Sequence, residues 1–171
     1  MFGELRLKTF HAEVILEDFL VRATFQPRGS MLVYLNDKQR PFLPFENAEI
    51  QPLASDRQVG QVKQPLVVVN KRYLKILSLT EASEAAEEQL LASKRPVAFY
   101  TGHFAIQGQL HVNQDARNED LLDETKDYFA LSDVSIYPLR KVGTPPTRHV
   151  PMMFISRPLL QIYHVMEKKG E

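Results

Sequence analysis

Apolar and polar residues alternate over DFLVRATFQ, Asp18 to Gln26, and again over HFAIQGQLH, His103 to His111. Phe19, Val21, Ala23 and Phe25 hold alternate positions of the first segment. Phe104, Ile106, Gly108 and Leu110 hold the corresponding ones of the second, at an offset of 85. A period of two gathers one set of side chains on one face of a pleated strand, so both segments are predicted to be half-buried strands. A second pair of segments follows at an offset of 86. PFLPFENAEIQPL (Pro41 to Leu53) lies against DYFALSDVSIYPL (Asp127 to Leu139), with Ile50/Ile136, Pro52/Pro138 and Leu53/Leu139 identical. The third pair keeps that offset: QPLVVVNKRYLKILSL (Gln64 to Leu79) against VPMMFISRPLLQIYHV (Val150 to Val165). Three blocks in one order, separated by a single one-residue shift, point to a tandem duplication of a β-rich unit.

Each copy is then expected to supply five strands. In the first they run through 11–18, 19–26, 41–46, 47–53 and 65–79, the last broken by a turn at 70–72. In the second they run through 96–102, 103–112, 127–131, 133–139 and 150–165, with the turn at 156–158. Asn47 and Asp133 hold equivalent places, where a short polar side chain can close a turn. Between the copies, Thr80 to Lys94 is rich in alanine, glutamate and leucine and lacks glycine and proline, which predicts a helix. Thr80 suits the N-cap, and Lys94 and Arg95 suit the negative end of the dipole. The apolar side of this helix is thin, so a surface connector is expected. The division is therefore 1–79, a linker helix over 80–95, and 96–171. Small β-units curl to remove exposed edges, and one of about seventy residues holds little core by itself. These arguments predict an all-β chain: two tandem five-stranded small barrels, Sm-like or SH3-like, packed with pseudo-twofold symmetry.

The same blocks resemble a bacterial small β-domain family of unknown function. His111, Leu122, Asp123, Phe129 and Asp133 carry the likeness in the second copy; Leu35, Asn36, Phe42, Leu43, Asn47, Val69 and Asn70 carry it in the first. Asp123 replaces the family's asparagine, Ser156 stands where the first copy has Asn70, and Gln26 stands where the second has His111. The resemblance implies the β-rich fold and no particular chemistry. A looser likeness to Sm-like RNA-binding barrels rests on strand count.

Composition narrows the function classes. Lys plus Arg and Asp plus Glu both total 21, giving zero formal charge, whereas dedicated nucleic-acid binders usually carry a basic excess. There is no cysteine, which excludes disulfides, thiol nucleophiles and iron–sulfur ligation. No apolar run reaches the ~18 residues of a membrane span, and MFGELRLKTFHAEV lacks the pattern of a secretory signal. A cytoplasmic protein is expected.

No stretch carries a catalytic signature. The acidic run DARNEDLLDETKD lacks the glycine and alternating ligands of a calcium loop and predicts a short helix with Leu121 and Leu122 inward. The histidines (11, 103, 111, 149 and 164) form no HxH or HExxH pattern; His103 and His111 would lie about 25 Å apart along a straight strand. Ser30 and Ser156 have no nucleophile elbow around them. Arg140, Lys141 and Arg148 border a proline-rich turn, yet the rest of a cyclic-dinucleotide-binding pattern is missing. Neither a cofactor nor a metal site is expected. The residues left as candidate ligand contacts are basic: Lys71, Arg72, Lys75, Arg140, Lys141 and Arg157. The leading expectation is a non-enzymatic interaction module that binds another protein, with an exposed strand edge as the means. The alternative is nucleic acid or an anionic ligand held by the basic turns between the repeats, and a homo-oligomer stays open.

Overall fold

The computed structural model describes residues 8–56 and 60–167; residues 1–7, on which much of the reading of the N-terminus rests, lie outside them. Strands β1 (Phe10–Ile15) and β2 (Phe19–Phe25) form the first hairpin, in register from Phe10↔Phe25 to Ile15↔Leu20. A short helix α1 (Met31–Asn36) leads into the long β3 (Phe42–Pro52), then β4 (Val62–Asn70). A 3-10 turn over Lys71–Tyr73 turns the chain into β5 (Ile76–Leu79). One helical turn, α2 (Ala82–Ala85), precedes β6 (Lys94–Tyr100) and β7 (Phe104–His111). A 3-10 turn at Asn118–Asp120 is followed by β8 (Tyr128–Pro138), β9 (His149–Ser156), a third 3-10 turn at Arg157–Leu159, and β10 (Ile162–Val165). The chain is all-β in class. Its strands join in one antiparallel sheet of order β10-β6-β7-β8-β9-β5-β1-β2-β3-β4.

The same local geometry occurs in both sets of five strands. Phe19↔Pro52 and Val21↔Ile50 in the first correspond to Phe104↔Pro138 and Ile106↔Ile136 in the second. Leu16 N–H donates to Phe19 O, and Thr101 N–H to Phe104 O, both at 2.9 Å; Lys75 N–H donates to Ile15 O, and Gln161 N–H to Tyr100 O, again at 2.9 Å. Asn47 and Asp133 have φ of 49° and 51°, a left-handed conformation that short polar residues tolerate. They do not close turns as expected. Each sits inside a single continuous strand, beside a register shift in the ladder to the neighbouring strand. One residue of this kind makes a β-bulge that bends a strand without ending it.

Two further expectations need correction, and one segment without an expected element holds a helix. The predicted helix over 80–95 is reduced to the four residues of α2. An isolated helix of that length is marginal, and its carboxylates have stronger partners elsewhere. Glu84 accepts the backbone N–H of His11 at 2.8 Å and contacts its ring nitrogen at 2.7 Å, while Glu88 accepts Met31 N–H and the Ser30 hydroxyl. Segment 27–40, without strand alternation, forms α1, which buries Met31, Tyr34 and Leu35 at helical spacing. Finally, the two sets of strands do not meet across a closed twofold. Such an axis would repeat the β5·β9 pairing, Ile76↔Ile155 to Leu79↔Met152, between β10 and β4, which here lie at opposite ends of the sheet. The sets are joined head to tail. Among the described residues no ladder joins β4 to β5 or β9 to β10, so hydrogen bonding does not close either set on itself.

The reason lies in β5 and β9, which are apolar on both faces. Leu77, Met152 and Phe154 face one core; Ile76, Met153 and Ile155 face another. Strands of this kind are stable only between two covering layers. The first core, around Phe25, Leu35 and Phe45, receives Tyr128, Ala130, Met152 and Phe154 from the second set. The second core, around Phe99, Phe104 and Ile136, receives Ile15, Leu20, Leu53 and Ile76 from the first. At roughly 1.5–3 kcal/mol for each large apolar side chain removed from water, this exchange ties the two sets of strands together.

Candidate interaction site at the sheet edge

The basic residues expected to contact a ligand fall into two groups. Lys71 and Arg157 flank Asp127: Arg157 N–H donates to Asp127 O at 2.7 Å, and Asp127 lies near enough to Lys71 to favour its charged form. Lys71 Nζ donates to Asp37 O at 2.5 Å, and burial, opposed by Asp37 and Asp127, pushes the ammonium pKa below its ordinary value. The Arg157 guanidinium donates to Lys126 O at 2.8 Å and borders a cleft of about 530 Å³ that also holds Glu119, Asp120 and Glu124. Lys75 and Arg140 lie near His103. Lys75 forms a 2.7 Å ion pair with Glu17, and that bond lowers the Glu17 carboxyl pKa. Arg72 and Lys141 are exposed.

Other candidate residues are occupied in structural bonds. His111 bridges Leu91 O (2.6 Å) and Ser132 Oγ (2.7 Å), His149 contacts Ser135 Oγ at 2.7 Å, and His164 contacts the Tyr100 hydroxyl at 3.1 Å. Among the described residues no three His, Cys, Asp or Glu side chains gather as a metal-holding group, and no helix is long and apolar enough to cross a membrane. In the acidic run Leu121 is buried and Leu122 packs beside it, behind a 3-10 turn in place of a longer helix. Asp123 accepts the Thr125 hydroxyl at 2.6 Å and its backbone N–H at 2.9 Å, which lowers the carboxyl pKa. Asn36 ties α1 to the other set of strands: its Oδ1 accepts Tyr128 N–H at 2.8 Å and its Nδ2 donates to Tyr128 O at 3.1 Å.

The feature that stands out lies at the free end of the sheet. β4 pairs with β3 from Phe42↔Asn70 to Ile50↔Val62, and its other edge carries no ladder among the described residues. Leu66 and Val68 point their apolar side chains into solvent there. Beside them a groove of about 780 Å³ is walled by Phe19, Val21, Ile50, Val67 and Val69 and bounded by Tyr73. Pro65 sits in this strand, where a missing N–H is tolerated best. The 3-10 turn at Lys71–Tyr73 places Tyr73 at the margin of the groove. That turn is fixed by Asn70, whose Oδ1 accepts Arg72 N–H at 3.1 Å.

A search for charge and catalytic spacing overlooks these residues. The available signal was PLVVV, an apolar run without alternation. It marks a strand that is apolar on both faces, and such a strand at the end of a sheet must leave apolar surface uncovered. No known protein family matches the chain, and no curated protein or solved structure is detectably similar to it.

Proposed function

We propose that this protein is a non-enzymatic interaction module that binds a protein partner by strand addition at β4. The carrying observation is the unpaired β4 edge bordered by the apolar groove, with Leu66 and Val68 exposed beside it. Strand addition takes its affinity from main-chain hydrogen bonds, and alternate side chains entering a groove supply the selectivity. The lining is mainly apolar and its charged members, Glu17 and Asp18, are acidic, which suits a protein segment over a phosphate backbone. The test is a native pull-down at low and high salt, with the unaltered chain and Val68→Asp compared. A protein retained by the unaltered chain at high salt and lost with Val68→Asp supports the reading. Nucleic acid recovered at low salt, released at high salt and indifferent to Val68→Asp transfers the function to the basic turns.

A further inference from the structure

We infer that the partner at β4 is a second copy of this chain, whose β10 adds to the edge so that molecules associate head to tail. This inference rests on the reading of β4 as a docking edge and names its occupant. The internal β5·β9 ladder is already one such contact. Position for position, β9 corresponds to β4 and β5 to β10, since the hydrogen bonds and registers around them recur at offsets of 85 and 86. Among the described residues the sheet order leaves one β9-like edge free, β4, and one β5-like edge free, β10. Carrying the register of the junction across places Val69 opposite Ile162, Val68 opposite Tyr163, Val67 opposite His164 and Leu66 opposite Val165.

Side-chain exposure tells the same story. Eight large apolar residues are exposed at the two ends, Val62 and Tyr73 among them; the six with buried counterparts are Phe19, Phe42, Leu66 and Val68 around β4, and Leu139 and Ile162 around β10. Their counterparts Phe104, Tyr128, Met152, Phe154, Leu53 and Ile76 are all buried about the internal junction. The contrast is large, with Val68 at 60% against 0% for Phe154, and Ile162 at 62% against 0% for Ile76. The groove follows the same rule. Its counterpart in the second set, at Thr101, His103, Phe104 and Leu159, is filled by Ile15, Leu53 and Ile76, which leave only about 10 Å³. The residues equivalent to that plug, Tyr100, Leu139 and Ile162, lie together at the β10 end and would enter the open groove of the next molecule. A contact between unlike surfaces propagates, and closes into a ring where the rotation allows.

The decisive measurement is light scattering after size exclusion, over a range of concentrations, on the full chain and on Val68→Asp and Ile162→Asp. Both positions are exposed, so circular dichroism melts matching the unaltered chain verify folding. The expected result is an assembly of at least two chain masses for the unaltered protein and monomers for each variant. Mixing the variants should restore a 1:1 dimer and nothing larger, because each retains the edge the other lacks. A second readout uses the absence of cysteine: Val68→Cys with Tyr163→Cys should form an interchain disulfide that Leu66→Cys with Tyr163→Cys does not. An unaltered chain that stays monomeric and uncrosslinked at high micromolar concentration overturns self-association. A salt-resistant foreign partner lost with Val68→Asp would then leave the docking edge standing; loss of both sinks both readings. A dimer abolished by Val68→Asp but indifferent to Ile162→Asp overturns the head-to-tail contact in favour of a like-with-like one.

Discussion

Phe154 and Val68 hold corresponding places, Phe154 opposite Ala130 in the β8·β9 ladder and Val68 opposite Pro44 in the β3·β4 ladder. One is in the middle of a sheet that buries it fully; the other is on an end strand and stays 60% exposed. The difference teaches that being apolar on both faces is a property of the strand's sequence, whereas burial on both faces is a property of its neighbours. The middle strands obtained their second neighbour within the chain.

The comparison breaks most plainly on stability. Phe154→Ala removes a fully buried ring from the junction and should cost ~3–5 kcal/mol. Val68→Ala, measured at a concentration low enough to keep the chain monomeric, should stay within ~0.5 kcal/mol. Urea unfolding followed by far-UV circular dichroism gives both values. Equal losses would mean that the end strand is covered in the isolated chain and that the contrast between middle and end is false.

Two smaller substitutions sharpen the view of the junction. Glu13 is a buried carboxylate on β1 that accepts Thr147 N–H at 2.7 Å, the Thr147 hydroxyl at 2.9 Å and Arg22 Nε–H at 3.1 Å. It ties the loop between β8 and β9 down onto the other set of strands. Glu13→Ala leaves the Thr147 donors without an acceptor and should cost ~1–3 kcal/mol, less Arg22's share because that side chain is partly exposed and regains water. Glu13→Gln, which keeps one accepting oxygen, should recover part of the loss in the same urea unfolding measurement. Gly143 belongs to the same loop. Its N–H donates to Leu53 O at 2.7 Å, and a β-carbon there would lie 2.8 Å from Ala54 O and 3.2 Å from two more backbone atoms. Gly143→Ala should therefore cost ~1–3 kcal/mol. Gly102→Ala, which meets only the end of Gln161 at 3.6 Å, should stay within ~0.5 kcal/mol. A silent Gly143→Ala would show that the loop is not held against the first set.

The strands were legible because period-two alternation survives from Val21 to Phe25 and from Phe104 to Leu110, where one face meets a core and the other does not; Phe19, exposed, and Leu20, in the second core, depart from it. The turns at Asn70 and Ser156 were legible because the apolar run stops there at polar residues. The linker was misread because alanine and glutamate report local helix propensity, while Glu84 and Glu88 are held by backbone groups distant in sequence. The head-to-tail junction was out of reach, since nothing in the order of residues says which of two unsatisfied strand faces will meet. The candidate site was missed because charge drew attention to Lys71, Lys75 and Arg157, which the fold engages with Asp37, Glu17 and Lys126.

The smallest expected effect is a difference in pH response between the filled groove and the open one. His103 borders the small void at the junction, and its counterpart in the open groove is Asp18. Burial first, then the charges of Lys75 and Arg140, hold the His103 imidazole pKa below its ordinary value. The folded chain therefore takes up this proton less readily than the unfolded one. Its contribution is complete above the unfolded pKa of about 6.5, declines as the pH falls below that, and stops changing beneath the folded pKa. Glu17 works in a lower window: its bond to Lys75 lowers its pKa, so that its contribution holds above about 4.5 and is lost as the pH falls through the folded value. Glu17 is largely exposed, which limits it to under about 1 kcal/mol. Melting temperature measured from pH 7.5 to 3 should decline for the unaltered chain and flatten in the His103 window for His103→Gln, with Glu17→Gln changing only the part below about pH 4.5. A decline in the His103 window that survives His103→Gln would remove His103 at the junction from the account of acid sensitivity.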